Sequence, residues 1–305
     1  MTDKMPERAQ VLLDLEPTLD FFVGIDSDGC AMDAMDIKHK ECFTPSYIKG
    51  FDLQNISTLV RETALFVNLY STTRGQNRWV ALSRLFDLLK DRPEVIERGG
   101  KVPQGDDLKA FLDSGFPRSD VGIARYAEEH STPEIEQCIE WGNLVNKMIA
   151  FMVENCGPFP GVREAIEAMD GKVDQLVVSA TPLEALDREW NEHGLAKYMK
   201  VIAGQEMGSK AQHVHYAAKG KYPDDHIMLI GDAPGDRDSA FSEGVLWYPI
   251  MPGKEKESWA RFKDEALPKF LNEEFAGAYQ DELVAEYNAL LPELPSWKTI
   301  SGNNA

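Results

Sequence analysis

Two aspartates leave the end of an apolar run in Phe21-Phe22-Val23-Gly24-Ile25-Asp26-Ser27-Asp28-Gly29. A buried strand here would carry two carboxylates, two residues apart, into a turn at its carboxyl end. Like charges this close repel, so a cation or a shared proton must offset them. In an open α/β sheet, ligands bind outside the carboxyl ends of the strands. The arrangement reads as a metal-assisted catalytic site, and phosphoryl transfer to an aspartate is chemistry it could perform.

Such a reaction needs a nucleophile, an acid/base, donors for the phosphoryl oxygens, a lysine to offset charge, and Mg²⁺ to draw carboxylate and phosphate together. Asp26, the first polar residue after the strand, is the candidate nucleophile. Asp28 is the candidate general acid and base. Gly29 would let the backbone turn tightly against a phosphate. A second apolar run ends in Val177-Val178-Ser179-Ala180-Thr181-Pro182. There Ser179, with backbone N–H groups at Ala180 and Thr181, would form an oxyanion site; a plain helix cap is the alternative.

A further run ends in Ile230-Gly231-Asp232-Ala233-Pro234-Gly235-Asp236. Mg²⁺ typically takes one or two carboxylates plus waters and substrate phosphate. Asp232 fits as a direct ligand beside Asp26, and Asp236 as a water-mediated partner. An Asp-rich turn with Asp232 as a cap is the bland alternative. Lys210, in Gly208-Ser209-Lys210, is the preferred lysine, with Lys219 and Lys221 as alternatives.

The elements that must hold these residues are legible in outline. Phe21–Ile25, Leu176–Ser179, Met199–Ala203 and Ile227–Ile230 read as strands, with a weaker one over Gly244–Tyr248. The first, second and fourth are nearly continuous in apolar residues, as in parallel sheets covered on both faces. Helical patterns run over Pro182–His193, with the proline in the first turn, and over Ser209–Lys219 and Pro234–Ser242, with Ser209 an N-cap. This rhythm predicts a doubly wound parallel α/β core.

Between the first two strands the patterns are almost all helical, including Leu59–Tyr70, Trp79–Leu89 and Ile135–Val153. The expected organisation is an α/β core from 1–32 and 157–254 and an all-helical insertion over 33–156, with hinges near Asp33 and Gly157. A helical extension over 255–305, rich in aromatic residues, should pack on the core, with 301–305 disordered.

The net charge of −19 over 305 residues disfavours nucleic acid and anionic membranes as partners. A small anionic substrate is compatible with it, because a local cation can dominate a pocket. Cys30, Cys42, Cys138 and Cys156 show no close pairing, which fits a reducing compartment. Met1–Leu15 lacks a signal-peptide pattern and no apolar run reaches the ~20 residues a membrane helix needs. The cytoplasm is the expected location.

The set Asp26-Ser27-Asp28-Gly29, Ser179, Lys210 and Gly231-Asp232-x-x-x-Asp236, in that order, resembles the haloacid dehalogenase superfamily. Pro158-Phe159-Pro160-Gly161-Val162 resembles the segment that re-enters the core of that family after its cap. The resemblance spans roughly residues 20–32 and 157–252. It implies a Rossmann-like core, Mg²⁺, an aspartyl-phosphate intermediate and the main-chain carbonyl of Asp28 as a metal ligand. The second aspartate favours phosphate-ester hydrolysis or phosphate transfer over dehalogenation. Cys30 departs from the usual Thr or Val.

The helical insertion then corresponds to a cap that closes over the site and selects the leaving group. Arg74, Asn77 and Arg78 are its candidate substrate contacts; a solvated helix–helix loop is the alternative. The expected activity is Mg²⁺-dependent hydrolysis of a small phosphorylated metabolite. A sugar-phosphate mutase using the same site, and a catalytically idle binding protein, are the rivals.

Overall fold

A computed structural model describes residues 6–301, with side chains to Lys298. Five strands form one sheet: β1 (Phe22–Ile25), β2 (Asp174–Val178), β3 (Val201–Ala203), β4 (Ile227–Gly231) and β5 (Leu246–Pro249). All pairings are parallel, in the order β3-β2-β1-β4-β5. The α/β Rossmann-like class expected from the sequence is the one observed. Strands β1, β2, β4 and β5 are buried throughout. Only β3, at an edge, is partly exposed. Burial on both faces is why the sequence shows continuous apolar runs and no alternation.

The chain winds outward from β1 through β2 to β3, then returns to lay β4 against the other side of β1. The reversal places a topological switch point between β1 and β4, where ligands bind in open α/β sheets. Register sets Ile25 opposite Ile230. The N–H of Asp26 extends the ladder by donating to the Ile230 carbonyl at 3.0 Å. The motif aspartates therefore leave adjacent strands at the same height.

Helices follow the strands closely. Lys210–Ala218 opens on a capping box: the Gln212 N–H donates to Ser209 Oγ at 3.3 Å, and the Ser209 N–H to Gln212 Oε1 at 2.8 Å. Pro182 sits at the N-cap of Leu183–Glu192, outside the first turn where the sequence had placed it. Its ψ of 137° is extended, so the helix begins one residue later. At the amino end of the strands, the buried Asp174 carboxylate accepts from the Thr18 N–H and hydroxyl, the Leu19 N–H and the Tyr222 hydroxyl. These bonds pin the entry to β1.

The chain divides into two compact units. One runs to Asp33 and from Cys156 to Leu290, and contains the sheet. The other holds Ala34–Asn155 and the tail from Leu291. It is helical, and packs around Trp79 and Trp141, whose rings meet edge to face at 5.4 Å, with Tyr47 stacked on Trp141 at 5.0 Å. The insertion thus has a hydrophobic core of its own, as a domain does.

The tail corrects one expectation. Residues 255–290 pack on the sheet unit, but 291–298 belong with the helical unit. Trp297 covers a small apolar patch of Phe66, Val67, Ala81 and Leu88. The Arg92 guanidinium lies 4.4 Å over its ring, and Lys298 pairs with Asp91 at 2.6 Å. Ser301, expected to be disordered, closes a helix over Ser296–Ser301. Residues 302–305 lie outside the described residues. No described helix is long and apolar enough to cross a membrane.

Candidate active site

Asp26, Asp232 and Asp236 each present a carboxylate oxygen within 4.8 Å of the others, and all three are buried. Asp26 leaves β1. Asp232 leaves β4, and Asp236 lies in the first turn of the following helix, Pro234–Ser242. Gly231 makes that turn possible: a Cβ there would sit 2.3 Å from Asp236 Cγ, so only glycine admits the carboxylate.

Lys210, at the start of its helix, reaches into the cluster. Its Nζ lies 2.9 Å from Asp26 Oδ1 and 2.5 Å from Asp236 Oδ1. The other Asp236 oxygen accepts from the Ala233 N–H at 3.0 Å. The alternative lysines are spent elsewhere. Lys219 pairs with Asp224, and Lys221 donates to the carbonyls of Leu12, Leu13 and Leu15.

Three buried carboxylates face one ammonium. Burial pushes the Asp26 carboxyl well up; Lys210 pulls it down, and Asp236 and Asp232 push it up again. Burial lowers Lys210, but the charges of Asp236 and Asp26 more than offset this and hold it protonated. The Cys30 thiol is driven up by burial and then by the three aspartates, so it stays protonated and inert. An excess of negative charge among hard oxygen donors, with no nitrogen or sulfur ligand, suits a small divalent cation. The cluster therefore fits a metal, with Asp26 and Asp232 the better placed ligands because both Asp236 oxygens already have partners.

The remaining motif residues follow the ends of β1 and β2. Asp28 accepts from the Thr181 hydroxyl at 2.8 Å. Thr181, read from sequence as a substrate contact, thus has its side chain on the candidate acid/base. Gly29 adopts φ 80°, as a tight turn demands. Ser179 is buried at the end of β2, and its Oγ accepts from the Thr181 N–H at 3.2 Å, leaving its own proton to donate. Its main-chain N–H is used by the sheet, donating to Ala203. Of the expected oxyanion donors the Ser179 hydroxyl remains, and Ala180 stands exposed beside it.

The three residues proposed in the insertion are tied inside the helical unit. Arg74 is buried and donates to the Leu69 carbonyl at 3.0 Å. Asn77 caps Arg78–Lys90 through the Trp79 N–H and donates to the Arg118 carbonyl at 2.7 Å. Arg78 bonds Asn146 at 2.8 Å and lies over the Phe43 ring. A polar run between two helices is therefore read better as the unit's internal clasp than as a substrate contact.

Sequence reasoning missed what holds the first turn. The Ser27 carbonyl accepts from the N–H groups of Cys30, Ala31 and Met32. Its hydroxyl accepts from Trp190 Nε1 at 3.0 Å and donates to Glu189 at 3.3 Å. The aromatic character of Trp190 signals packing but nothing in the sequence signals this partner.

No family model and no curated protein matches the sequence. Solved structures do. The chain resembles haloacid dehalogenase-type enzymes in structure. A β-phosphoglucomutase from Clostridium difficile aligns over 85% of this chain and 100% of its own, at 16% identity and a TM-score of 0.48. A protein from Lactobacillus delbrueckii subsp. bulgaricus, provisionally assigned as a phosphoglycolate phosphatase, aligns over 83% and 99%, at 16% identity and 0.47. A haloacid dehalogenase-like hydrolase from Streptococcus pneumoniae aligns over 82% and 98%, at 12% identity and 0.43. The functional reading rests on this chain's own residues.

Proposed function

We propose that this protein is a haloacid dehalogenase-type phosphohydrolase that uses Mg²⁺ to cleave a small phosphorylated metabolite. One observation carries the reading: Lys210 bridges Asp26 and Asp236 while Asp232 completes a buried carboxylate cluster at the switch point of a parallel sheet. A surface acidic patch would not be built on adjacent strands, fully buried and locked by a single ammonium.

Mg²⁺, held by Asp26, Asp232 and the Asp28 main-chain carbonyl, would neutralise charge on the nucleophile and the phosphoryl oxygens. Asp236 keeps Lys210 in place and would add its charge to the acidic side of the metal site. Asp26 attacks phosphorus in line, and the bond to the leaving oxygen breaks as Asp28 donates its proton to that oxygen. Ser179 and Lys210 hold the phosphoryl oxygens through this step. Asp28, now ionised, takes a proton from water. The resulting hydroxide attacks phosphorus, the bond to Asp26 breaks, and phosphate leaves. Thr181 holds the Asp28 carboxylate for both transfers.

The test is phosphate release from a panel of phosphorylated metabolites and an aryl phosphate, with Mg²⁺ and with chelator. Release that requires Mg²⁺ supports the reading. No release from any of them, with or without metal, overturns it. Adding hydroxyl acceptors separates hydrolysis from transfer, since a mutase would pass the phosphoryl group to the acceptor.

A further inference from the structure

The two carboxylate-bearing turns share a construction. In the turn after β4, the peptide joining Asp232 to Ala233 is clamped at both ends. Its N–H donates to Asp236 at 3.0 Å, and its carbonyl accepts from the Tyr287 hydroxyl at 2.9 Å. In the turn after β1, the peptide joining Cys30 to Ala31 is clamped likewise. Its N–H donates to the Ser27 carbonyl at 2.9 Å, and its carbonyl accepts from Trp259 Nε1 at 2.9 Å.

In both cases one bond ties the peptide into its own turn, and the other comes from the C-terminal extension. Trp259 lies on the helix Glu255–Arg261 and Tyr287 on the helix Ala278–Leu290. Both side chains are buried. Tyr287 meets Trp247 of β5 edge to face at 4.9 Å, and Trp259 meets Phe262 at 5.8 Å. Packing fixes each ring, so each polar edge is aimed without adjustment. A buried carbonyl deprived of its donor would rotate toward another one. The Asp232 side chain hangs from the clamped peptide, so it would turn too.

We propose that the C-terminal helices are a working part of the active site, with Trp259 and Tyr287 as positioning residues that fix the two turns presenting Asp26, Asp28 and Asp232. The inference rests on the phosphohydrolase reading and goes beyond it, because these helices lie outside every motif that carries that reading. Neither residue touches substrate; each acts through a backbone carbonyl.

The test uses the full chain with Tyr287→Phe, which keeps the ring and removes only the hydroxyl, and separately Trp259→Phe. Two readouts are taken: Mg²⁺ activation of aryl phosphate hydrolysis, and the rise in melting temperature caused by Mg²⁺ alone. In Tyr287→Phe, kcat falls roughly tenfold or more and the Mg²⁺ concentration for half-activation rises by a similar factor, as for other residues that orient metal ligands. KM for the substrate stays within about twofold, since the lost bond serves geometry and not substrate binding. The Mg²⁺-induced stabilisation shrinks in parallel.

A purely structural role predicts something else. The variants would melt earlier, yet while folded would keep the wild-type kcat and Mg²⁺ requirement; that result overturns the proposal. Wild-type protein that shows neither Mg²⁺-induced stabilisation nor phosphate release overturns the phosphohydrolase reading, and this inference with it. Normal wild-type behaviour with unchanged variants overturns this inference alone.

Discussion

A buried carboxylate needs both a place and a counter-charge, and Gly231 and Lys210 supply one each. Gly231→Ala sets a methyl group against the Asp236 carboxylate, where the available gap is 2.3 Å. Asp236 must swing away, and Lys210 loses one of its two anchors. The expected cost is about 1–3 kcal/mol of stability, typical of overpacking a closed site, together with loss of Mg²⁺-activated turnover. Urea unfolding and phosphate release check the two parts; an alanine variant with wild-type values in both would contradict this account of the turn. The aspartates, Ser179 and Lys210 were legible in the sequence because each stands at the end of a buried strand or the start of a helix. The bonds from Thr181 to Asp28 and from Trp190 to Ser27 were not, since they join residues 153 and 163 positions apart.

At the scale of elements, strands were readable from continuous apolar runs, and their ends moved by at most two residues. Asp174 and Gln175 escaped the reading of β2 because two polar side chains open a strand that is nonetheless buried. The Asp174 carboxylate is satisfied by Thr18, Leu19 and Tyr222, which lie far away in the chain, and Gln175 Nε2 donates to the Ile166 carbonyl. The helix Lys210–Ala218 also carries a buried titratable group. His213 lies on its buried face, and burial pushes the imidazole down to about 4; carbonyls of Gly204 and Gly208 pull it up, and Lys210 opposes them. The folded chain therefore keeps the ring neutral where the unfolded chain takes a proton. Stability from this group is complete above the ordinary histidine value and is lost as pH falls toward 4, on the order of 3 kcal/mol across that window. In His213→Gln the urea midpoint should fall less steeply between pH 7 and pH 4.5 than in the wild type. An equal slope in both proteins would show that His213 does not titrate in this way.

Across the whole molecule, the insertion and the tail show where sequence reading ended. The helical character of residues 33–156 follows from periodicity, but the destination of the last residues does not. Trp297 reads like the other aromatics of the extension, and only the patch at Phe66, Val67, Ala81 and Leu88 distinguishes it. Truncation after Leu290 uncovers that patch. The helical unit should lose about 1–3 kcal/mol, the scale of one exposed large apolar side chain. Hydrogen exchange should quicken in the helices Ser57–Leu69 and Arg78–Lys90 while strands β1 and β4 keep their protection. Equal loss of protection in both units would contradict the assignment of the tail.

The central claim is that Asp26 takes the phosphoryl group. The direct measurement is phosphate release by Asp26→Asn at saturating Mg²⁺, beside its melting temperature. The account predicts a loss of about 10³-fold or more in kcat, as for other nucleophile replacements, in a protein that remains folded. Folded Asp26→Asn that releases phosphate at the wild-type rate would contradict it.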